Sequence, residues 1–238
     1  MSNNPVLFPS VCIDNFYKDP MAVRNLALSQ AFDGPDNAIG NYPGVRSHMI
    51  YEIDPQFFDN FCKRILSTFF DLDMCKYCQW NIESYFQLIY PSDDPDLNKA
   101  WVHNDDHAIL GGVIYLDPEV DPDTGTSIGE IDFSKIDQKK FSDDQEIRKK
   151  FYKGELTLPE DIAEYKRRIN LNNDSYKLTA EFKNKFNRVV CFDGNQAHKA
   201  SLGTNTKPRL TQVFFVTSLD VPSHPPLIRI NQFPEFEN

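Results

Sequence analysis

The sequence predicts an α+β fold that is mainly β and forms a single domain over residues 1–238. Three observations support this prediction. The chain has 238 residues, which is enough for one large core. Hydrophobic residues make up 40% of it and aromatic residues 13%, which excludes a disordered chain. From residue 80 onward, apolar side chains alternate with a period of two, as they do in strands that bury one face.

Residues 1–79 are predicted to form a support of helices and one strand. The run FPSVCIDNFY alternates as a strand does. Asp-Pro pairs at residues 19–20 and 54–55 predict two helices, MAVRNLALSQAF and QFFDNFCKRILSTFF, because Asp caps a helix and Pro is favoured at its first position. Residues 33–47 are rich in Gly, Pro and Asn and are predicted to be a loop.

Residues 80–218 are predicted to form the β core, with the strands WNIESYFQLIY, HAILGGVIYLD, FNRVVCFD and PRLTQVFFVTS. Within this core, residues 133–182 are rich in charge and poor in β-branched residues, so we expect a helical insertion there. Gly154 is expected to end its first helix and Pro159 to begin its second. The Pro-rich residues 219–238 are expected to form a tail over the surface.

The chain is acidic, with 35 Asp and Glu against 25 Lys and Arg and a formal net charge of −10. An acidic surface repels phosphate backbones, so nucleic acid is not expected as a partner. No stretch approaches the roughly 20 apolar residues of a membrane helix, and MSNNPVLFPS lacks the pattern of a signal peptide. We therefore expect a soluble protein of the cytoplasm, or of the host cytoplasm if the source is a virus.

The five cysteines are an odd number, which predicts free thiols rather than a disulfide framework. Cys75 and Cys78 form a single CxxC pair. Without a second pair this spacing is weak support for a zinc site, and unrelated structural cysteines are the favoured interpretation.

The segment WVHNDDHAILGGVIYLDP places two histidines and two aspartates within five positions, before an apolar run. On a strand, alternate side chains share a face, so His103 and Asp105 are expected to offer two metal ligands side by side. His107 continues that face and is a less favoured substitute, because only a β-bulge would bring it into place. A solvated strand end without any metal explains the same residues, so the choice depends on a third ligand.

His198 supplies that third ligand, and Arg209 adds a cation nearby. His198 follows a predicted buried strand and an Asp-Gly-Asn turn, and LGTNTKP, a predicted hairpin turn, separates it from Arg209. The two residues are therefore expected on neighbouring antiparallel strands, about 5 Å apart at the backbone.

By alternation, Arg209, Thr211 and Val213 share one face, so that a guanidinium and a hydroxyl would line a cavity beside the metal. A buried Arg needs an anion, and a carboxylate matches its planar fork. Two His, one carboxylate and this Arg together indicate a facial iron triad with a carboxylate-bearing cosubstrate.

These residues resemble the iron(II)- and 2-oxoglutarate-dependent dioxygenases, especially the prolyl-hydroxylase-like branch. The resemblance covers residues 80–218 without the insertion. VHNDD matches the H-x-D of the family, NRVVCFDGNQAH is similar to the strand before its distal His, and RLT resembles its R-x-S/T. VIYLD resembles the strand whose Tyr helps to hold 2-oxoglutarate. The segments NFYKDPMAVRNLAL and YPGVRS also resemble an uncharacterised bacterial and viral group of such proteins.

The resemblance implies a double-stranded β-helix, or jelly roll, braced by the N-terminal helices. It implies that Fe(II) is held by His103, Asp105 and His198 and that O2 and 2-oxoglutarate are cosubstrates. The keto acid would chelate the metal, with its far carboxylate on Arg209, Tyr115 and Thr211. Two features depart from the family. Arg209 follows His198 by eleven residues rather than nine or ten, and the insertion is long.

Two alternatives remain open for the insertion of residues 133–182, which is either a lid over the site or a pair of helices on the outside. Tyr85 and Gln87 share a strand face and either side chain is able to enter the cavity. The cluster of Phe192, Phe214, Phe215 and Tyr85 is predicted to be core rather than part of a substrate cage, because buried aromatics are the usual case in such sheets.

The leading hypothesis is an oxygenase that hydroxylates a C–H bond of a peptide side chain or a small molecule and releases succinate and carbon dioxide. The alternative is a non-catalytic, cupin-like metal-binding module that acts in binding or sensing. A further alternative is a structural β-sandwich without a metal. The presence of both Arg209 and Tyr115 favours the enzyme hypothesis, because a site that has lost its activity does not need residues that bind a cosubstrate. The substrate and the oligomeric state are left open.

Overall fold

The structure is a computed structural model that describes residues 8–34, 41–70, 72, 79–119, 123–135, 141–202 and 207–220. The predicted Cys75–Cys78 pair and most of the predicted tail lie outside these residues. The described strands are β1 (Val11–Ile13), β2 (Val45–Met49), β3 (Gln79–Ile89), β4 (Leu110–Tyr115), β5 (Gly125–Ile131), β6 (Tyr176–Lys183), β7 (Val189–Asp193), β8 (Ala197–Ser201) and β9 (Arg209–Asp220). The helices are α1 (Pro20–Leu28), α2 (Ile50–Ile53), α3 (Pro55–Leu66), α4 (Phe141–Tyr152) and α5 (Pro159–Asp174), with a short 3-10 helix at Phe133–Lys135.

The strands form two antiparallel sheets, so the prediction of a mainly β fold is confirmed. The large sheet has the order β1-β7-β4-β9-β3-β2, and the small sheet has the order β6-β5-β8. In the large sheet β3 pairs with β9 along its full length, from Gln79 opposite Asp220 to Ile89 opposite Arg209. No helix in the described part of the chain is long and apolar enough to cross a membrane.

The N-terminal helices begin where the sequence predicts. Asp19 caps α1 by accepting a hydrogen bond from the N–H of Ala22, and Asp54 caps α3 in the same way through Phe57. Both helices pack on one face of the large sheet. Buried side chains from α1, α3 and strands β3, β4, β7 and β9 form the main core there, among them Phe61, Ile65, Phe86, Ile114 and Phe214.

The other face of the large sheet packs against the small sheet. Val113, Tyr115, Val190 and Phe192 of the large sheet form a second core cluster with Ile128 of the small sheet. Because strand side chains alternate between faces, β4 serves both cores, with Ile114 under the helices and Val113 and Tyr115 between the sheets.

Three strands differ from the prediction. β2 lies partly inside the predicted loop 33–47, because its alternation is too short to outweigh the Gly and Pro before it. β5 was not predicted, since it contains Gly125 and Gly129, which break a strand pattern. A Cβ at either glycine would lie 2.2 Å from a carbonyl oxygen of β6, so the close approach of β6 requires them. β6 itself occupies the end of the predicted helical range and is an edge strand with an exposed, charged face.

Two helices are present within residues 133–182, as the sequence predicts. Gly154, with a φ of +69°, follows the end of α4, and Pro159 begins α5. The helices are joined to the β core by a third cluster, in which Trp101 packs against Tyr165 and Ile169 of α5. The insertion is therefore in contact with the segment that leads into the H-x-D motif.

Candidate metal centre

The two predicted histidine ligands are brought together by an isolated antiparallel bridge. His103 N–H donates to the carbonyl of His198 at 3.0 Å, and His198 N–H donates to the carbonyl of His103 at 2.9 Å. Residues that exchange both bonds lie directly opposite each other with side chains on the same face. The ring centroids of the two imidazoles are 4.4 Å apart.

Asp105 is placed by the turn that precedes β8. Its backbone N–H donates to the carbonyl of Gly194 at 2.7 Å, and its carbonyl accepts from Ala108 N–H at 2.8 Å. Gly194 is required for this contact, because a Cβ there would lie 1.8 Å from the carbonyl oxygen of Ala108. The strand-face explanation of the H-x-D motif is therefore wrong. Residues 104–107 form no strand, and backbone hydrogen bonds to a distant turn bring Asp105 to the histidines.

The hydrogen bonds of both imidazoles leave the Nε2 atoms free to bind a metal. The Nδ1 of His103 lies 2.9 Å from the carbonyl oxygen of Trp101, and the Nδ1 of His198 lies 2.8 Å from that of Gln196. Since a carbonyl oxygen only accepts, each Nδ1 must carry the proton, and each Nε2 presents its lone pair. Such support from the backbone fixes the tautomer and ring orientation of metal-binding histidines.

The three side chains fit a metal ion bound on one face. His198 Nε2 lies 3.4 Å from Asp105 Oδ2, His103 Nε2 lies 3.7 Å from Asp105 Oδ1, and the three ligand atoms all lie within 4.8 Å of one another. Adjacent ligands of an octahedral ion with bonds near 2.1 Å lie about 3 Å apart, so a small closure would complete the site. Two imidazoles and one carboxylate are the donor set of non-haem iron(II).

Electrostatics also favour the protonation states that a metal needs. Burial lowers the pKa of His103, and the nearby His198 and Arg148 lower it further, so that the imidazole stays neutral. Burial would raise the pKa of Asp105, but its interaction with His198, through charge and a hydrogen bond, outweighs burial and holds this pKa below its ordinary range. A neutral imidazole and an ionised carboxylate are the ligand forms of these groups.

Helix α5 holds the segment that carries His103. Asn172 accepts a hydrogen bond from Val102 N–H at 2.7 Å and donates one to the Val102 carbonyl at 3.1 Å. Asn173 donates to the carbonyl of Ala100 at 3.1 Å. These two side chains thus make the hydrogen bonds to the backbone of residues 100–102 that a neighbouring strand would make. These contacts join the insertion to the site, but both alternatives for it, a lid over the site or a pair of helices on the outside, stay predictions.

A cavity of about 530 Å³ opens from the triad into the space between the sheets. Its walls include the triad, Arg209, Thr211, Val213, Tyr85 and Gln87. The predicted shared face of Arg209, Thr211 and Val213 is therefore confirmed. Both Tyr85 and Gln87 enter the cavity, which answers the question that the sequence left open.

Arg209 is buried in this cavity. It is 4% exposed, and its Nε and Nη1 atoms have no hydrogen-bond partner among the residues that the structure describes. The guanidinium lies 5.1 Å from the centroid of the Tyr115 ring. Burial lowers the pKa of Arg209, opposed in part by Tyr115 and Asp117. An orphaned guanidinium of this kind is the feature that a bound carboxylate would satisfy.

Tyr115 and Thr211 lie beside Arg209, opposite each other on β4 and β9. Tyr115 is completely buried and its hydroxyl lies 2.7 Å from the hydroxyl of Thr126 on the small sheet. Thr211 makes only a long hydrogen bond, 3.5 Å, to the carbonyl of Gln87. Thr211 thus lines the cavity beside Arg209, whereas Tyr115, which the resemblance implies as a second anchor, is not among the described residues that line it.

The predicted hairpin between His198 and Arg209 is wrong. His198 lies on β8 of the small sheet and Arg209 on β9 of the large sheet, so the connection crosses from one sheet to the other. The two residues still line one cavity because the sheets pack face to face. Turn residues in LGTNTKP signal a reversal, but they do not tell which sheet receives the next strand.

The predicted aromatic cluster divides between the core and the cavity. Phe214 belongs to the main core and Phe192 to the cluster between the sheets, as predicted. Phe215 and Tyr85, in contrast, are part of the cavity wall. His107 also reaches the wall, where its ring centroid lies 5.2 Å from that of Phe215, but it is not part of the ligand group.

Several residues of the site have no clear signal in the sequence. Arg46 of β2 and Arg148 of α4 line the cavity, although they lie far from the motif in the chain. Thr126 is in a strand that the sequence does not predict. Asn172 and Asn173 are the exception, because Asn residues in the last turn of a helix are poor helix formers and so suggest specific hydrogen bonds.

Comparison with known proteins supports the fold. A crystal structure of HygX from Streptomyces hygroscopicus, with nickel and 2-oxoglutarate bound, aligns at a TM-score of 0.53 and 12% identity, over 86% of this chain and 81% of HygX. EvdO2 from Micromonospora carbonacea var. aurantiaca, complexed with 2-oxoglutarate, aligns at a TM-score of 0.50 and 13% identity, over 91% and 89%. At such low identity the likeness establishes a shared fold with these 2-oxoglutarate-binding proteins. No curated protein matches the chain.

The model of one protein family matches residues 7–211, which is most of the chain and includes all six predicted site residues. The family is described as one of unknown function, so the match assigns no reaction. The chain belongs to this family of unknown function, DUF6445.

Proposed function

We propose that the protein is an iron(II)- and 2-oxoglutarate-dependent oxygenase that hydroxylates a C–H bond of a small molecule or a peptide side chain. Its two sheets would form the double-stranded β-helix of the prolyl-hydroxylase-like branch. The observation that carries the proposal is Arg209, which is buried with two unpartnered nitrogen atoms in the same cavity as the metal triad. A metal-binding module without a cosubstrate has no anion for this cation.

In this proposal His103, Asp105 and His198 would hold iron(II) at the wall of the cavity. Arg209 and Thr211 would hold the far carboxylate of 2-oxoglutarate, together with Tyr115. The Tyr115 hydroxyl lies 2.7 Å from the hydroxyl of Thr126, which lines the cavity. With its far carboxylate fixed, the keto acid would be restrained within the cavity that contains the triad.

When bound, iron(II), 2-oxoglutarate and O2 together supply the oxidation, which releases succinate and carbon dioxide and places one oxygen atom on the substrate. The residues of the chain would position the cosubstrate and keep water away from it. Val113, Phe192 and Val213 line the cavity between the sheets with apolar surface that limits water around the keto acid. Tyr85 and Phe215 form another part of the wall, which would be available to the substrate.

The proposal is tested by anaerobic titration of the metal-free protein with iron(II) and then with 2-oxoglutarate. Chelation of the metal by a keto acid produces a visible charge-transfer band. We expect the band in the wild type, its loss together with metal binding in His198→Ala, and its loss without loss of metal binding in Arg209→Ala. Arg167→Ala is the matched control, because Arg167 is exposed and pairs only with Glu164.

Each alternative predicts a different result. The cupin-like binding or sensor module predicts that iron(II) binds but that no band forms with 2-oxoglutarate. The structural β-sandwich predicts that neither binds and that His103→Ala leaves metal affinity unchanged. Equal binding of the keto acid by Arg209→Ala and the wild type would refute the assignment of Arg209.

A further inference from the structure

Arg46 projects from β2 into the cavity and is enclosed by aromatic rings. Its guanidinium carbon lies 3.8 Å from the centroid of Tyr42, 5.4 Å from that of Tyr85 and 5.5 Å from that of Phe215. Its Nε donates a hydrogen bond of 3.3 Å to the side-chain oxygen of Gln87. These neighbours hold the guanidinium plane in place without neutralising its charge.

Arg148 reaches the same cavity from α4 of the insertion. The residue is 7% exposed, and its Nη2 donates to the carbonyl of Asn41 at 2.9 Å. Its Nε is buried, and no described residue provides a hydrogen-bond partner for it. Tyr152, also on α4, lies beside it, with the ring centroid 5.6 Å from the guanidinium carbon.

Neither cation is paired with an acid. In the described part of the chain, no carboxylate oxygen lies within 4.0 Å, the limit for an ion pair, of a guanidinium nitrogen of Arg46 or Arg148. The cavity wall does contain acids. Asp33 and Glu52 lie 3.8 and 3.7 Å from the ring nitrogens of His48, Glu83 accepts from the Tyr85 hydroxyl at 3.3 Å, and Asp105 belongs to the candidate metal triad.

The chain as a whole is acidic, with a formal net charge of −10, yet this cavity contains two arginines that form no ion pair with the described acids. Removing a cation from water without a partner is unfavourable, so such an arrangement persists where a bound anion completes it. Arg is also the side chain that best matches a carboxylate, through paired N–H groups.

This place differs from the one at Arg209. The guanidinium of Arg209 lies over Tyr115, and Arg209 begins β9. The guanidinium of Arg46 lies near Phe215, which is six residues after Arg209 on β9. Phe215 is opposite Gly111 of β4, and a Cβ built on Gly111 would lie 3.3 Å from Asp105 Oδ2. The guanidinium of Arg46 therefore reaches from Gln87, which is opposite Thr211, toward Phe215 at the metal end of the cavity, whereas Arg209 lies at the start of β9.

We propose that the substrate carries a carboxylate and that Arg46 and Arg148 bind it, between β2 and α4, beside the metal. The inference depends on the proposed oxygenase function, because it assigns this part of the cavity to the substrate of that reaction. The aromatic rings of Tyr42, Tyr85 and Phe215 would pack on the substrate next to its acidic group. The insertion then has a defined part in the site, since α4 supplies one of the two cations.

The test compares matched acids and amides on protein loaded with nickel(II) and saturating 2-oxoglutarate, so that Arg209 is occupied and no turnover takes place. The probe pairs are benzoate and benzamide, phenylacetate and phenylacetamide, and N-acetylglutamate and N-acetylglutamine. Binding is measured by thermal shift and by calorimetry. We expect at least one acid to bind in preference to its amide, and Arg46→Gln or Arg148→Gln to weaken it by about 30-fold or more. Arg167→Gln, at an exposed site, should have no effect.

Affinity for 2-oxoglutarate is measured in the same variants, because the keto acid itself is the other possible source of the carboxylate. An equal loss of 2-oxoglutarate affinity in Arg46→Gln and Arg148→Gln would show that these residues serve the cosubstrate and would overturn the inference. Acids and amides that act alike, or a panel in which no acid binds, would also overturn it. If the wild type binds neither nickel nor 2-oxoglutarate, the proposed function itself fails, which is a separate and recognisable outcome.

Discussion

Replacing Arg209 with Met should stabilise the ligand-free protein and remove its response to 2-oxoglutarate. Arg209 is 4% exposed, and within the described part of the chain its Nε and Nη1 atoms have no hydrogen-bond partner. A Met side chain has a similar length, is flexible enough to fill the space and needs no hydrogen bond. The substitution therefore removes an unpaired buried charge from the free protein and the anchor from the complex.

The magnitude follows from these contacts. A buried donor left without a partner costs about 1–3 kcal/mol, and Arg209 has two such atoms. The attraction to Tyr115 offsets about 1–2 kcal/mol of this cost. We therefore expect Arg209→Met to raise the free energy of unfolding by about 2 kcal/mol. For 238 residues the entropy of unfolding is about 0.5 kcal/mol per kelvin, so Tm should rise by about 4 °C.

The assay is thermal and urea unfolding of the nickel-loaded protein with and without 2-oxoglutarate. At a concentration of about 100 times Kd, the ligand should add about 2.7 kcal/mol, or roughly 5 °C, to the wild type and nothing to Arg209→Met. The stability order of the two proteins should thus reverse when the ligand is added.

Arg24→Met is the matched control, because Arg24 has its partners in the free protein. It donates to the carbonyl of Leu116 at 3.0 Å and to Asp117 at 2.8 Å, so its loss should destabilise the protein by about 1 kcal/mol. The reasoning would be refuted if Arg209→Met lost stability as Arg24→Met does and still responded to 2-oxoglutarate as the wild type does.

Three further predictions concern the surroundings of the site. Asn172→Ala should lower metal affinity by about tenfold and the free energy of unfolding by about 2 kcal/mol, because it removes both hydrogen bonds to the backbone of Val102 before the first ligand. Asn170→Ala on the same helix is the control and should change neither quantity. Metal titration and urea unfolding measure both variants, and equal effects would contradict the positioning role of Asn172. Gly111→Ala should weaken metal binding while the fold is retained, since its Cβ would press on Asp105 at 3.3 Å, and an unchanged affinity in the same titration would count against this geometry. Tyr115→Phe should weaken 2-oxoglutarate by about fivefold and leave the metal in place, as calorimetry would show; no loss would remove the hydroxyl from the anchor.

Sequence patterns were sufficient for features that depend on local spacing. Caps and Pro predicted the starts of α1, α3 and α5, and alternation predicted β3 and β9. Alternation also placed Arg209, Thr211 and Val213 on one face, because side chains of a strand alternate whatever the strand is paired with. The three ligands were named from residue type and from the conjunction of distant motifs, and the structure brings those three together.

Features that depend on the approach of another segment were not visible in the sequence. β5 is a strand of small residues because β6 lies against its backbone, and the glycines that allow this look like strand breakers in isolation. Asp105 reaches the histidines through a backbone bond to Gly194, not through the alternation that suggested it. Both cases are pairings between segments far apart in the chain, which no local pattern specifies.

By itself, the sequence determined the three candidate metal ligands that the structure brings together, the mainly β character of the chain and the faces of its longer strands. Only the tertiary structure decided that His198 and Arg209 lie on different sheets, that α5 holds the segment before His103, and that Arg46 and Arg148 enter the same cavity. The physical reason is that residue type and spacing act within one element, whereas a cavity exists only where separate elements pack face to face and leave space between them.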